Sequence, residues 1–156
     1  FNDPSSRSSS SPIEMQRYLS KISGPLLDRI DIHIEVTPVP FEKLTETRKA
    51  ESSVEIRKRV TKARQIQSLR FENLDYIHYN AQMSSKLIRE FCVLDDVSLQ
   101  LLKTAMERLN LSARAYDRIL KVSRTIADLE DSESLQPHHI AEAIQYRSLD
   151  REGWLG

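Results

Sequence analysis

Glycine occurs at only three of the 156 positions, at 24, 153 and 156. Glycine adopts left-handed backbone conformations without steric cost, so tight turns and phosphate-cradling loops depend on it. Its scarcity argues against a fold built from strands and turns, and against a glycine-rich nucleotide loop. With 29% charged and 39% hydrophobic residues, the composition is typical of a folded, mainly helical protein.

Charge and cysteine content limit the partners and the compartment. The 23 basic and 23 acidic side chains balance, so attraction to nucleic acid would have to come from a local basic patch. One cysteine, Cys92, cannot form an internal disulfide and suits a reducing compartment. The sequence has no apolar run near the ~20 residues that cross a bilayer and does not open on a signal peptide. We therefore expect a cytoplasmic protein with no membrane partner.

The first 40 residues are predicted to combine a flexible segment with a short helix and a strand. Residues 1–12 include six serines and two prolines, which predict a flexible segment. Apolar spacing predicts a short amphipathic helix from Ile13 to Ile22. Alternation then predicts a strand from Ile30 to Val36 with one buried face, followed by a stiff Thr37–Pro40 connector. A lone strand is unstable, so we expect its sheet partners in sequence upstream of this chain.

Beyond residue 40 the pattern predicts a bundle of four or five helices, followed by a tail over 148–156. Polar residues and one proline mark four helix starts: Ser52 or Ser53, Asp95 or Asp96, Ser112, and Pro137. A further short segment is predicted from Ser84 to Phe91. The first of these helices runs to about Arg70 and should bury one face, made of Ile56, Val60, Ala63 and Ile66.

An arginine lies at the junction between a short helix and the predicted strand, in the run SGPLLDRIDIHIEV. The helix enters behind Pro25, and Leu26 and Leu27 should pack inward. Arg29 follows at the element boundary. A planar, permanently charged guanidinium held in this way suits phosphate recognition.

A second arginine candidate lies in the segment SARAYDRILKVSRTIADL. On a helix of about 100° per residue, Arg114, Arg118 and Lys121 share the face opposite the apolar one. Arg114 falls in the first turn, beside backbone N–H groups without helical partners, which favours anion binding. The alternative is an ordinary solvated face, on which Arg124 pairs with Asp128 four residues on.

These two motifs, together with the final HHIAEAIQYR, resemble the magnesium-chelatase-like AAA+ ATPase family (the ComM/YifB family) over about residues 18–147. The resemblance implies that 13–40 is the end of an AAA+ core and that 41–147 is its helical lid. It also implies that Arg29 is the arginine finger, acting in trans on the γ-phosphate of a neighbouring subunit. By the same resemblance Arg114 is the sensor-2 arginine, and Arg118 is a second candidate for the ATP phosphates.

The resemblance further implies a ring, expected to be a hexamer, that binds ATP and Mg²⁺ and moves on DNA during DNA uptake and recombination. The sequence has no G-x-x-x-x-G-K-[ST] loop and no apolar strand ending in paired acids. We therefore expect the upstream core of the same protein to hold the nucleotide, and this chain alone to bind no cofactor and hydrolyse no ATP. Serines replace the cysteine-rich stretch that family members often carry before KISGPLLDR, and the four histidines predict no metal site.

Two alternatives remain open at the level of sequence. The basic residues of the Ser53–Arg70 segment, Arg57, Lys58, Lys62 and Arg64 among them, could make the chain a nucleic-acid-binding module. Against this, the charges are spread around the helix and no aromatic residue is interleaved for base stacking. The other alternative is the motor subunit of a metal chelatase, which remodels a protein partner rather than DNA.

Overall fold

The computed structural model describes residues 13, 17, 21, 24–34, 36, 39–41 and 50–147. The protein is mainly helical, as predicted. Defined helices are α1 (Gly24–Leu27), α2 (Ser53–Arg70), α3 (Ser85–Phe91), α4 (Asp96–Arg108), α5 (Ala113–Leu129) and α6 (Pro137–Gln145), with a 3-10 turn at Asn80–Gln82. Ile13 and Arg17 are also helical; the rest of the predicted 13–22 helix, the 1–12 segment and the 148–156 tail lie outside the described residues.

Helix starts follow the predicted capping residues. The side-chain oxygens of Ser52, Ser84, Asp95 and Ser112 each accept the backbone N–H three residues on, at 3.3, 3.4, 2.7 and 3.2 Å. Each bond satisfies one of the N–H groups that have no partner within the helix. Pro137 occupies the start of α6, where a missing N–H costs nothing. The starts of these helices therefore agree with the predicted helical bundle.

Two helix ends use left-handed residues other than glycine. Asn110 follows α4 with φ 44°, and Asp131 follows α5 with φ 61°. Behind each one the chain closes a Schellman motif, with Leu111 N–H donating to Met106 O at 3.0 Å and Ser132 N–H to Ala127 O at 2.8 Å. Asparagine and aspartate tolerate this conformation better than other residues with a Cβ, so the described helices end without glycine.

Helix α5 is the centre of the bundle. It packs against α6, α2, the 3-10 turn and α3, while α4 packs against α6. The predicted apolar face of α5 is confirmed, since these positions are buried or half-buried: Tyr116, Ile119, Leu120, Ser123, Ile126 and Ala127. The core continues into neighbouring elements through Phe71, Met83, Ile88, Leu102, Leu135 and Ile140.

The strand predicted for Ile30–Val36 is wrong for the described residues, because 30–34 and 36 are not in a strand. A strand needs a neighbour to form its ladder. The described residues offer none, and the His33 N–H instead donates to Tyr146 O, after α6, at 2.9 Å. The predicted buried face is also exposed, as Ile34 (67%) and Val36 (87%) show most clearly.

Two smaller burial predictions also fail. In α1, Leu27 is buried as expected, but Leu26 is about half exposed. In α2, Ala63 is buried and Ile66 half-buried, whereas Ile56 and Val60 are exposed, together with every other residue from 51 to 62. Only the second half of α2 reaches α5, so the inward-facing apolar positions of its first half have nothing described to pack against.

In the described part of the chain, none of the helices is long and apolar enough to cross a membrane.

Candidate functional site

Arg29 lies in the turn that ends α1. Its N–H donates to Leu26 O at 3.0 Å, and Ile30 N–H donates to Leu27 O at 3.0 Å, so the backbone around Arg29 is fixed by two consecutive turn bonds. Leu27 anchors the turn in the interior. The Arg29 side chain is exposed and forms no hydrogen bond or ion pair with any residue that the structure describes. The backbone of Arg29 is therefore held in a defined turn, while its guanidinium is not bound by any described residue.

The residues on both sides of Arg29 are bonded to the helical bundle. Asp28 lies 3.7 Å from the guanidinium of Arg147, and that guanidinium also donates to the Ile30 carbonyl. Asp31 forms an ion pair with Arg118 of α5. These contacts reach around Arg29 without engaging its own side chain.

Arg147 was missed by the sequence analysis, although it holds this segment. It follows α6 and is only 1% exposed, yet it carries a full charge. A buried guanidinium requires polar partners, and Asp28 and the Ile30 carbonyl are two of them. The available signal was its position as the last residue of the HHIAEAIQYR motif; no periodicity marks it.

Arg114 lies in the first turn of α5, as predicted. The Ser112 hydroxyl accepts the Ala115 N–H at 3.2 Å, which leaves other N–H groups of this turn without a helical partner. The Arg114 side chain is exposed and pairs with no described residue. Positive charge and unpaired N–H groups therefore coincide at this helix end, which favours an anion.

Arg118, one turn after Arg114, faces a carboxylate rather than open solvent. Its side chain is 26% exposed and pairs with Asp31. Lys121, one turn further, donates to Ala81 O at 2.9 Å, and partial burial lowers the pKa of its amino group. Of the three cations predicted on this face, Arg114 alone lacks a described partner.

A buried polar cluster lies behind this face and was only partly anticipated. Arg70 at the end of α2 donates to both oxygens of Asp128, through Nη1 at 2.7 Å on one side. Arg124 Nε donates to the same carboxylate at 3.1 Å, and Asn80 Nδ2 donates to it at 2.8 Å. The predicted Arg124–Asp128 pair is correct, but its placement on a solvated face is wrong, because both residues are buried.

Arg124 is the member of this cluster whose pKa is altered by burial. Desolvation lowers the pKa of the Arg124 guanidinium, and the Asp128 charge opposes that shift. Arg124 also donates to the carbonyls of Ser132 and Glu133 after α5, the latter at 2.9 Å. These groups join α2, the 3-10 turn and the loop after α5 in one network of hydrogen bonds.

The basic residues of α2 are largely engaged within the chain. Lys58 bonds to Glu55 at 2.9 Å, and Lys62 bonds to Asp131 at 2.6 Å. The Arg64 guanidinium stacks 3.9 Å above the Tyr79 ring. Arg57 is exposed and has no partner among the described residues. The structure thus leaves Arg57 as the most available of the four predicted nucleic-acid residues.

Three titratable side chains meet at the start of α6, where the histidines of the sequence predict no metal site. Nitrogen atoms of His138 and His139 lie 2.8 and 3.1 Å from the Glu130 carboxylate. However, His139 Nδ1 accepts the Gln136 N–H at 2.9 Å, so Nε2 carries the ring proton and donates it to Glu130. A metal-bound imidazole instead donates a proton from its second nitrogen. The geometry therefore fits a helix cap.

Two protein-family models match this chain. The family model "Magnesium chelatase, subunit ChlI C-terminal" matches residues 50–147, and the model "Magnesium chelatase, subunit ChlI" matches residues 1–44. The chain belongs to the magnesium chelatase subunit ChlI family. The boundary between the two matches falls between Arg29, on the first, and the helical bundle with Arg114, on the second.

Individual relatives in bacteria are also similar to this chain. The chain is 44% identical over 142 residues to the competence protein ComM of Haemophilus influenzae, and 40% identical over 141 residues to YifB of Escherichia coli. YifB of Salmonella typhimurium is 38% identical over 141 residues. Each alignment covers 90% of this chain but 27% of the relative, so the chain spans about a quarter of the length of these proteins.

Proposed function

We propose that this chain is the lid portion of a magnesium-chelatase-like AAA+ ATPase, with Arg29 as an arginine finger that acts on ATP in a neighbouring subunit. One observation carries the proposal. The Arg29 guanidinium is exposed and has no partner among the described residues, although Asp28, Ile30 and Asp31 around it are all bonded to the bundle. An arginine that serves another molecule needs a fixed backbone and an uncommitted side chain.

The chemistry of phosphoryl transfer explains why such an arginine matters. Charge builds up on the oxygens of the transferred phosphoryl group, and a correctly placed guanidinium stabilises it. A finger supplied from a second subunit ties hydrolysis to assembly. In this proposal the upstream core of each subunit binds ATP and Mg²⁺, and the subunits form a ring, which we propose is a hexamer.

Arg114 is proposed as the sensor-2 arginine. Its position in the first turn of α5 lets it report the presence of phosphate to the helix on which the bundle is built. Arg118, the second candidate for the phosphates, is already paired with Asp31. Arg114 is therefore the better candidate for direct contact with nucleotide.

For the whole protein we propose a motor that moves on DNA during DNA uptake and recombination. The relative named as a competence protein supports this direction. DNA contact by α2 is supported by Arg57, which has no partner in the described part of the chain. A chelatase-type motor that acts on a protein partner would instead hydrolyse ATP without stimulation by DNA.

The decisive experiment uses the whole protein, including the nucleotide-binding core. We expect Arg29→Ala to reduce ATP turnover by about a thousandfold without preventing ring assembly or ATP binding. Mixing Arg29→Ala subunits with subunits that cannot bind ATP should restore part of the activity. In such a ring the Arg29→Ala subunit binds ATP, and its neighbour supplies Arg29. Arg89→Ala, an exposed arginine on α3, is the matched control. Normal turnover in an all-Arg29→Ala ring would contradict the proposal.

A further inference from the structure

We infer that Arg118 and Arg147 are positioning residues that hold the Arg29 segment on α5 and α6, so that a movement of α5 is passed to Arg29. This inference rests on the proposed function only where it assigns Arg29 to phosphate. The docking itself is a property of this chain and is tested separately.

Arg118 supplies the link to α5. It lies one helical turn after Arg114, so a rigid helix carries any displacement of one residue to the other. Its guanidinium pairs with Asp31, two residues after Arg29. The candidate nucleotide sensor and the candidate finger are thus separated by one turn of α5 and one ion pair.

Arg147 supplies the link to α6. It is nearly fully buried, donates to the Ile30 carbonyl and faces the Asp28 carboxylate at 3.7 Å. The residue before it, Tyr146, accepts the His33 N–H at 2.9 Å. These contacts fix the chain on both sides of Arg29.

The consequence is mechanical. Because α5 packs against α6 and both hold the 28–33 segment, the bundle and the Arg29 turn move together. Coupling between sites requires such a contiguous set of contacts with more than one arrangement. Loss of the Asp31–Arg118 pair would remove the direct link between α5 and the Arg29 segment.

The His33 amide is a direct reporter of docking, because it donates to Tyr146 O at 2.9 Å. In this chain without nucleotide, Asp31→Asn and Arg118→Ala should each speed hydrogen exchange at the His33 amide about threefold, as expected for a half-exposed ion pair. Arg147→Lys keeps the charge but loses the planar donor geometry, and should speed exchange about tenfold. The exchanged pair Asp31→Arg with Arg118→Asp should restore protection. Arg114→Ala, on the same helix, should leave exchange unchanged.

The second readout is the kinetics of the whole protein. Arg118→Ala should lower kcat for ATP several-fold while KM stays the same, and the exchanged pair should recover kcat. If Arg118 had a purely structural role, Arg118→Ala would change protein stability, but it would not lower kcat at an unchanged KM. The exchanged pair would then not recover kcat. Unchanged His33 exchange in both Asp31→Asn and Arg118→Ala would overturn the docking inference and leave the proposed function standing. Conversely, full turnover by an all-Arg29→Ala ring would remove the proposed function and leave the docking results intact.

Discussion

Arg70 donates to both carboxylate oxygens of Asp128, joining the last residue of α2 to the last turn of α5. The two residues are 58 positions apart, and Asp128 is only 1% exposed. Arg124 shares the same acid. One buried carboxylate therefore pairs with two guanidinium groups, so we expect the stability of the fold to depend strongly on Asp128.

We predict that Asp128→Asn lowers the free energy of unfolding by about 3–5 kcal/mol, because Arg70 and Arg124 lose the acid that pairs with them in the interior. Asp131→Asn is the matched control. Asp131 is exposed, pairs only with exposed Lys62 in the described structure, and asparagine suits its left-handed backbone. It should cost less than about 1 kcal/mol. Urea denaturation of this chain measures both, and equal losses would contradict the role of Asp128.

The left-handed residue after α4 gives a second prediction. Asn110→Ala should lower the free energy of unfolding by about 1 kcal/mol, since a Cβ without a polar group disfavours φ 44°. Asn110→Gly should cost nothing or stabilise the chain slightly, because glycine accepts this conformation freely. Thermal denaturation distinguishes the two variants, and a larger loss for glycine than for alanine would show that the backbone conformation is not the determinant.

Acid should weaken the start of α6. Hydrogen bonds from His138 and His139 lower the pKa of Glu130 below its ordinary value of 4.5. A lowered folded pKa means that the stabilisation is complete above the unfolded value and is lost as pH falls through the folded one. Urea denaturation from about pH 6 down to about pH 3 should therefore show a shallower decline in Glu130→Gln than in the natural chain. Glu133→Gln, whose carboxylate has no partner in the described residues, should keep the full decline.

Cys92 should be inert in the folded chain. Burial raises the pKa of its thiol to about 11, and Sγ lies 3.7 Å from the Leu120 carbonyl. Near neutral pH the reactive thiolate is then about a hundredfold scarcer than for a thiol at the ordinary value of 9.0. A thiol-reactive dye should label the chain slowly until denaturant is added, then reach one equivalent. An exposed cysteine introduced by Ser53→Cys should react at once.

The DNA binding proposed for the whole protein should depend on Arg57 more than on Lys58. Arg57 has no described partner, whereas Lys58 is already bonded to Glu55. Arg57→Gln should weaken binding to all DNA sequences and reduce the slope of log affinity against log salt by about one. Lys58→Gln should have a smaller effect. Equal salt slopes for both variants and the natural protein would exclude α2 from the DNA contact.

The sequence predicts this fold best where local chemistry decides it. A serine or aspartate that caps a helix acts within three residues, so Ser52, Ser84, Asp95 and Ser112 are recognisable without knowing the tertiary structure. Burial is different. Ile56 on α2 and Ile34 in the predicted strand have the right spacing for an inner face, yet the described chain provides nothing to cover them.

The candidate site was predictable to a similar extent. Arg29 and Arg114 stand out by position, and the roles assigned to them come from family resemblance. The contacts of Arg147 and Arg70 could not be found in this way, because Arg147 acts on Ile30 across 117 positions and Arg70 acts on Asp128 across 58. Contacts of that range leave no periodic trace in the sequence.

The 117-residue span between Arg147 and Ile30 also orders events during synthesis. Ribosomes extend the chain from its N-terminus, so the turn that carries Arg29 is made long before α6 exists. Until Arg147 has been added, that turn lacks the buried guanidinium that donates to the Ile30 carbonyl. Premature termination or clipping before position 147 would therefore leave the Arg29 turn without the Arg147 contacts to the Ile30 carbonyl and Asp28.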